Sequence, residues 1–394
     1  MDQADDRTLR FSEDGTFQIT VFSDLHYAES ENAPQGATQD ARTAEVVTKV
    51  LQHETSQLVV LNGDLISGYG TTADSDVTGY LDQVVAPINN LGLPWATTYG
   101  NHDNEAYSDS TVLLDHEKTN YPNSLTRNMG PKTPEAGVSN YYLELYSKCG
   151  NPDVDAPLAI LWFFDSKGGR QSRDWVDDSV VEWFMDTNDE LTQKHQKIIP
   201  SLAFFHIPIT AMFDFQTSPG VDASKTPGLD GEVVSFQGKQ YNNKPGHDEN
   251  FKNALSNTAG LATTFSGHDH ENDWCFKWKN SASHKAGINV CYGRHTGYGG
   301  YGNKARGGRQ ILLNQNTLGK EVVTWIRLED GLVPEKVTLN GTYGQDEYHP
   351  MPHRVDLKRS LSDPASMGTV HAVPEVYSFL FVFLLLYLPF QVLA

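Results

Sequence analysis

Apolar residues in this chain come in short, nearly continuous runs, and several runs end abruptly in a cluster of Asp, His, Asn and Gly. Residues 17–22 (FQITVF) read as a buried strand stopping at Ser23-Asp24-Leu25-His26. Residues 40–53 follow with Ala44, Val47, Val50 and Leu51 at helical spacing behind Asp and Thr, which predicts a helix. Residues 58–61 (LVVL) form a second predicted strand, ending in Asn62-Gly63-Asp64. A second helix is predicted over 77–91, broken at Pro87 or running past it, and a third strand over 94–99 delivers Gly100-Asn101-His102-Asp103.

Further on, 107–117 read as helix, 119–140 as a long surface loop, and 141–146 and 158–164 as sheet. Residues 180–195 read as helix, with Trp183, Phe184 and Leu191 on one side. Residues 202–205 deliver His206; 214–250 suit a polar loop insertion at an active site. Residues 261–265 lead into Ser266-Gly267-His268-Asp269-His270, and 287–292 lead into Arg294-His295. Apolar segments at 310–313, 321–327 and 333–339 complete the strands.

Strands alternating with helices define the α/β class, in which ligands bind outside the carboxyl ends of the strands. No repeat with a period of 20–50 residues stands out. The expected organisation is a catalytic domain over 15–343, a linker over 344–375 and an apolar segment over 376–394. That segment carries no charge and is nearly long enough to cross a bilayer, so membrane association is expected. The small residues Ala365-Ser366-Met367-Gly368 before it match the layout of a lipid-anchor signal. The first residues are acidic and show no secretory signal, which leaves open the face of the membrane and whether the start is complete.

A net charge of −20 argues against nucleic acid as the main partner, but bound metals can reverse the field locally and admit a phosphate. Three cysteines without a C-x-x-C pair disfavour a thiolate zinc site and leave room for one disulfide and one free thiol.

Carboxylate, imidazole and amide oxygens suit hard or borderline divalent ions, and a metal pair needs a bridging carboxylate. Asp24, His26, Asp64, Asn101, His206, His268 and His270 each fall just past a predicted strand. Gly63, Gly100 and Gly267 precede ligands and are expected to permit tight turns or positive φ. Any one of the 14 histidines is more often a surface or satisfied core residue; the ordered set of clusters is what points to a metal pair.

This ordered set, Asp-x-His, Gly-Asp, Gly-Asn-His-Asp, a single His and Gly-His-x-His, resembles the calcineurin-like metallophosphoesterases over roughly residues 15–330. Within that superfamily, residues 9–17 and 292–302 resemble the plant and fungal branch of purple acid phosphatase-like proteins named as inactive, and related fungal phosphatases. The resemblance implies a four-layer αββα sandwich of two mixed sheets flanked by helices. It implies two metal ions, divalent or of the Fe, Zn or Mn type. Asp24, His26, Asp64 and His270 would hold one, and Asp64, Asn101, His206 and His268 the other. His102 would contact substrate.

True purple acid phosphatases resemble Gly-Asp-x-x-Tyr at the bridging Asp, whereas this chain has Gly63-Asp64-Leu65-Ile66-Ser67, with no phenolate for iron. They also lack a histidine at the position of His26. The expected reaction is in-line attack on phosphorus by metal-activated water, with His102, oriented by Asp103, protonating the leaving alkoxide. Arg294 and His295 lie in a Gly/Tyr-rich stretch that reads either as a substrate-recognition lip or as a surface hairpin. A phosphomonoesterase, acting on small esters or phosphoproteins, is the leading expectation. The alternatives are a phosphodiesterase for nucleotides or lipid headgroups, and a metal-binding member without catalysis.

Overall fold

A computed structural model describes residues 7–351, apart from residue 106 and residues 169–174, 240–245 and 281–286. The expected apolar segment at 376–394 and most of the linker lie outside the described residues. Among the described residues no helix is long and apolar enough to cross a membrane.

Two mixed sheets form the centre. One orders its strands β13-β12-β11-β2-β3-β4: β2 (Thr16–Phe22), β3 (Leu58–Asn62) and β4 (Trp95–Thr98) run parallel. β11 (Gly307–Asn314), β12 (Val322–Leu328) and β13 (Lys336–Leu339) extend it antiparallel beyond β2. The other is ordered β1-β5-β6-β7-β8-β10-β9. In it β6 (Ala159–Phe163), β7 (Ser201–Phe204), β8 (Leu261–Ser266) and β10 (Ile288–Tyr292) are parallel. β5 (Tyr141–Tyr146) pairs antiparallel with β6, and β1 (Leu9–Arg10) and β9 (Cys275–Trp278) form the edges.

Period-two alternation explains why the strands read as continuous apolar runs. In β3, Leu58 and Val60 face the core between the sheets, while Val59 and Leu61 face helices. In β6, Leu161 and Phe163 face the same inter-sheet core and Ile160 and Trp162 the opposite layer. A strand covered on both faces needs apolar residues at every position.

Helices α1 (Gly36–His53), α2 (Val77–Asn89) and α3 (Ser110–Asn120) cover the six-stranded sheet. Helices α4 (Asp178–His195), α5 (Thr210–Thr217) and α6 (Glu249–Asn257) cover the seven-stranded one. Helix α2 runs past Pro87.

The insertion and the edge strands depart from the sequence reading, whereas the cysteines form the one disulfide and one free thiol it leaves room for. The polar insertion at 214–250 is entered on α5 and left on α6. The edge strands β1 and β9 carry no apolar run long enough to announce them. Cys275 and Cys291 stand directly opposite on β9 and β10 and form a disulfide, while Cys149 is free and exposed.

Candidate metal centre

The parallel strands of both sheets end at one rim of the sandwich, and there the chain turns sharply. Asp24 and His26 follow β2, Asp64 follows β3, Asn101 follows β4, His206 follows β7, and His268 and His270 follow β8. Asp24, His26, Asp64 and His268 themselves adopt left-handed backbone, with φ of 57°, 51°, 51° and 77°. Non-glycine residues rarely do so, and such strain concentrates at functional sites.

The glycines before the ligands divide between positive φ and close approach. Gly63 has φ of 88°, but Gly100 and Gly267 do not have positive φ. A Cβ at Gly100 would lie 2.3 Å from Asp64 Oδ1, and one at Gly267 3.0 Å from Asp24 Oδ2. These two are small because carboxylates lie against them.

Two groups result, each with ligand atoms within 4.8 Å of one another: Asp24, His26 and His270, and Asp64, His206 and His268. Asp64 spans them, its Oδ2 lying 3.0 Å from His206 Nε2 and 3.8 Å from His26 Nε2. The His26 and His270 Nε2 atoms lie 3.1 Å apart.

Outer contacts aim the imidazoles. His206 Nδ1 meets the Asn62 carbonyl at 2.8 Å, His270 Nδ1 the Tyr301 carbonyl at 3.1 Å, and His26 Nδ1 the Ser67 hydroxyl at 2.8 Å. Engaging Nδ1 this way turns Nε2 inward as the ligand atom. Ser67 therefore has a positive role: where a purple enzyme would offer a phenolate, this chain orients an additional imidazole.

The electrostatics fit a cation pair. Burial pushes the His26 and His268 pKa values down to about 3 and His270 well below its usual value, leaving neutral rings with lone pairs to donate. Burial, reinforced by Asp64 and opposed by His206, pushes Asp24 up to about 7. Burial opposes protonation of His206 too, but the Asp64 charge, its hydrogen bond and Asp24 carry His206 up to about 10. The counter-charges that the described residues offer Asp24 and Asp64 are imidazoles. Asn101 Oδ1 is buried without a hydrogen-bond partner, as an amide oxygen waiting for a metal would be. The donor set thus fits two hard or borderline divalent ions.

Three residues, Asp103, Arg294 and His295, stand elsewhere than the sequence reading puts them. Asp103 does not orient His102: its carboxylate accepts from the backbone N–H groups of Leu65, Ile66 and Gly100 at 2.9, 3.0 and 2.8 Å. The carboxylate that meets His102 Nδ1, at 3.0 Å, is Glu105. Asp103 is 0% exposed and stitches the β3 and β4 turns together, which leaves it no reach to a half-buried ring.

Arg294 forms no lip. It is 1% exposed, paired with Asp273 and donating to the Ala305 carbonyl. His295 is also buried, and its ring packs 3.9 Å from that of His270, behind the site. Two half-exposed side chains among the described residues at the rim are Tyr301, stacked on His270 at 4.0 Å, and Tyr69, edge-on to His102 at 4.9 Å. Sequence reasoning passed over both, although Tyr301 lies in the Gly/Tyr-rich stretch and Tyr69 shortly after Asp64.

Residues 17–272 match the model of the calcineurin-like phosphoesterase family, and the chain belongs to that family. Members of it carry a dinuclear metal centre. Among curated proteins, the chain is 27% identical over 355 residues to "Probable inactive purple acid phosphatase 29" of Arabidopsis thaliana, covering 82% of this chain and 85% of the relative. It is 30% identical over 301 residues to "Phosphatase DCR2" of Saccharomyces cerevisiae, covering 72% of this chain and 49% of that protein. Among solved structures, a dimetal phosphatase from Danio rerio superposes with a TM-score of 0.51 at 13% identity, covering 82% of this chain and 98% of that one. This last likeness concerns the fold.

Proposed function

We propose that this chain is an active phosphomonoesterase working at a dinuclear metal centre. The observation that carries the reading is the completeness of the site: two ligand groups joined by Asp64, an unpartnered Asn101 oxygen, and His102 beside them. Two bound divalent ions would supply Lewis acidity toward the phosphoryl oxygens and water acidic enough to give hydroxide near neutral pH. Asp24, His26 and His270 would hold one ion, and Asn101, His206 and His268 the other, with Asp64 between them.

The chain's own proton donor is His102. Its side chain is 28% exposed, its backbone N–H donates to Asp64 Oδ1 at 2.8 Å, and Glu105 holds Nδ1. That leaves Nε2 to give a proton to the departing alkoxide. Burial depresses the His102 pKa, but Asp64 and Glu105 outweigh it and raise it above the ordinary histidine value.

A metal-binding protein without catalysis is the second reading, favoured by the word "inactive" in the name of an Arabidopsis relative. The two readings part on turnover of p-nitrophenyl phosphate by metal-reconstituted protein. Glu105→Gln should lower kcat about tenfold, the scale expected for loss of a carboxylate that orients a histidine, with metal content unchanged. A kcat equal to that of the unaltered protein would remove Glu105 from the mechanism.

A further inference from the structure

A cleft of about 500 Å³ opens beside His102, and nothing in the proposed chemistry uses it. Its walls include Asn104, Glu105, Ser108, Asp109 and Lys167. Residues of its wall and of the adjoining backbone touch the residues of the metal centre at two points. Glu105 is the residue that holds His102, and the backbone next to Lys167 runs against Asn101: a Cβ at Gly168 would lie 2.6 Å from Asn101 Cβ.

Two unpartnered groups able to donate, the Ser108 hydroxyl and the Asn104 amide nitrogen, lie in this cleft with a lysine. Ser108 is 3% exposed and its Oγ has no hydrogen-bond partner. The Asn104 carbonyl is taken by the Ser110 hydroxyl at 2.6 Å, while its Nδ2 has no partner. Lys167 is 9% exposed, and its ammonium donates to the Pro134 carbonyl at 2.9 Å. Among the described residues it forms no ion pair, an uncommon condition for a charge so deeply buried. Of the two acids on the wall, Glu105 meets His102 Nδ1 through Oε1 and Asp109 accepts from the Thr111 N–H through Oδ1. Lys167 also adopts left-handed backbone, with φ of 63°, strain of the kind that collects at binding sites.

We propose that this cleft is a subsite for a second anionic group, carboxylate or phosphate, borne on the leaving alcohol of the phosphoester, with Lys167, Ser108 and Asn104 as its donors. The proposal rests on the phosphoesterase reading for its place beside the scissile ester, and on Lys167 for its charge.

The test compares three esters on the full chain reconstituted with metal: 3-phosphoglycerate (carboxylate), glycerol 1,3-bisphosphate (second phosphate) and glycerol 3-phosphate (no second anion). The kcat/KM of at least one doubly anionic ester should exceed that of glycerol 3-phosphate about tenfold, the scale of a charge-assisted hydrogen bond. Whichever of the two is favoured identifies the group. Lys167→Met should collapse that ratio and Lys167→Arg should restore it. A ratio near one in the unaltered protein, or a ratio unmoved in Lys167→Met, overturns the proposal.

Calorimetric binding of the same esters separates the subsite from the reaction. If none is turned over, the phosphoesterase reading fails. Tighter binding of a doubly anionic ester that is lost in Lys167→Met still upholds the subsite. Equal binding of all three esters overturns it. If Lys167→Met does not fold, Ser108→Ala and Asn104→Leu, which leave the lysine in place, carry the same comparison.

Discussion

Replacing Asp64 by asparagine should leave the protein folded but unable to hold two ions, with hydrolysis reduced roughly 10³-fold or more. Asp64 touches both ligand groups through Oδ2 and receives the His102 N–H on Oδ1. An amide has nearly the same shape, so packing survives, while the negative charge shared by two cations is lost. Metal content by elemental analysis beside turnover of a simple phosphomonoester checks this. Two ions per chain and undiminished turnover in Asp64→Asn would sink the bridging role.

Asp103→Ala should show up first as lost stability. The carboxylate accepts three buried backbone N–H groups, from Leu65, Ile66 and Gly100. Leaving a buried donor unpaired costs about 1–3 kcal/mol, so a total loss of about 3–5 kcal/mol is expected once partial relaxation is allowed. Urea unfolding measures it. The turns holding Asp64 and Asn101 should loosen together, weakening metal retention. A variant of unchanged stability would mean that water replaces the carboxylate, and that the stitch between the turns is dispensable.

The contrast between Asp103 and Glu105 marks where sequence stops speaking. The ligand-bearing turns were legible because strands buried on both faces produce unbroken apolar runs, and ligands in such sheets sit at the strand ends. Asp24, Asp64 and Asn101 stand out against that background. Which carboxylate meets His102 was not legible, because Asp103 and Glu105 both follow it closely and only the fold of the turn chooses between them. Arg294 was misjudged for a similar reason. Its Gly-rich neighbourhood suggested exposure, while its partner Asp273 arrives from the turn before β9, a strand too short to announce itself.

The glycines carry the same lesson in another form. Proximity to a ligand suggested dihedral freedom at all three, yet the left-handed residues are largely the ligands, and Gly100 and Gly267 are small to admit carboxylates. The disulfide became specific only when β9 and β10 placed Cys275 opposite Cys291.

Two ions at this site should turn over a phosphomonoester. The most direct measurement is p-nitrophenyl phosphate hydrolysis by the full chain as a divalent metal is titrated into metal-depleted protein. Activity should rise to a plateau at two ions per chain and be abolished by Asn101→Ala. Two ions bound without turnover, or wild-type turnover in Asn101→Ala, would contradict it.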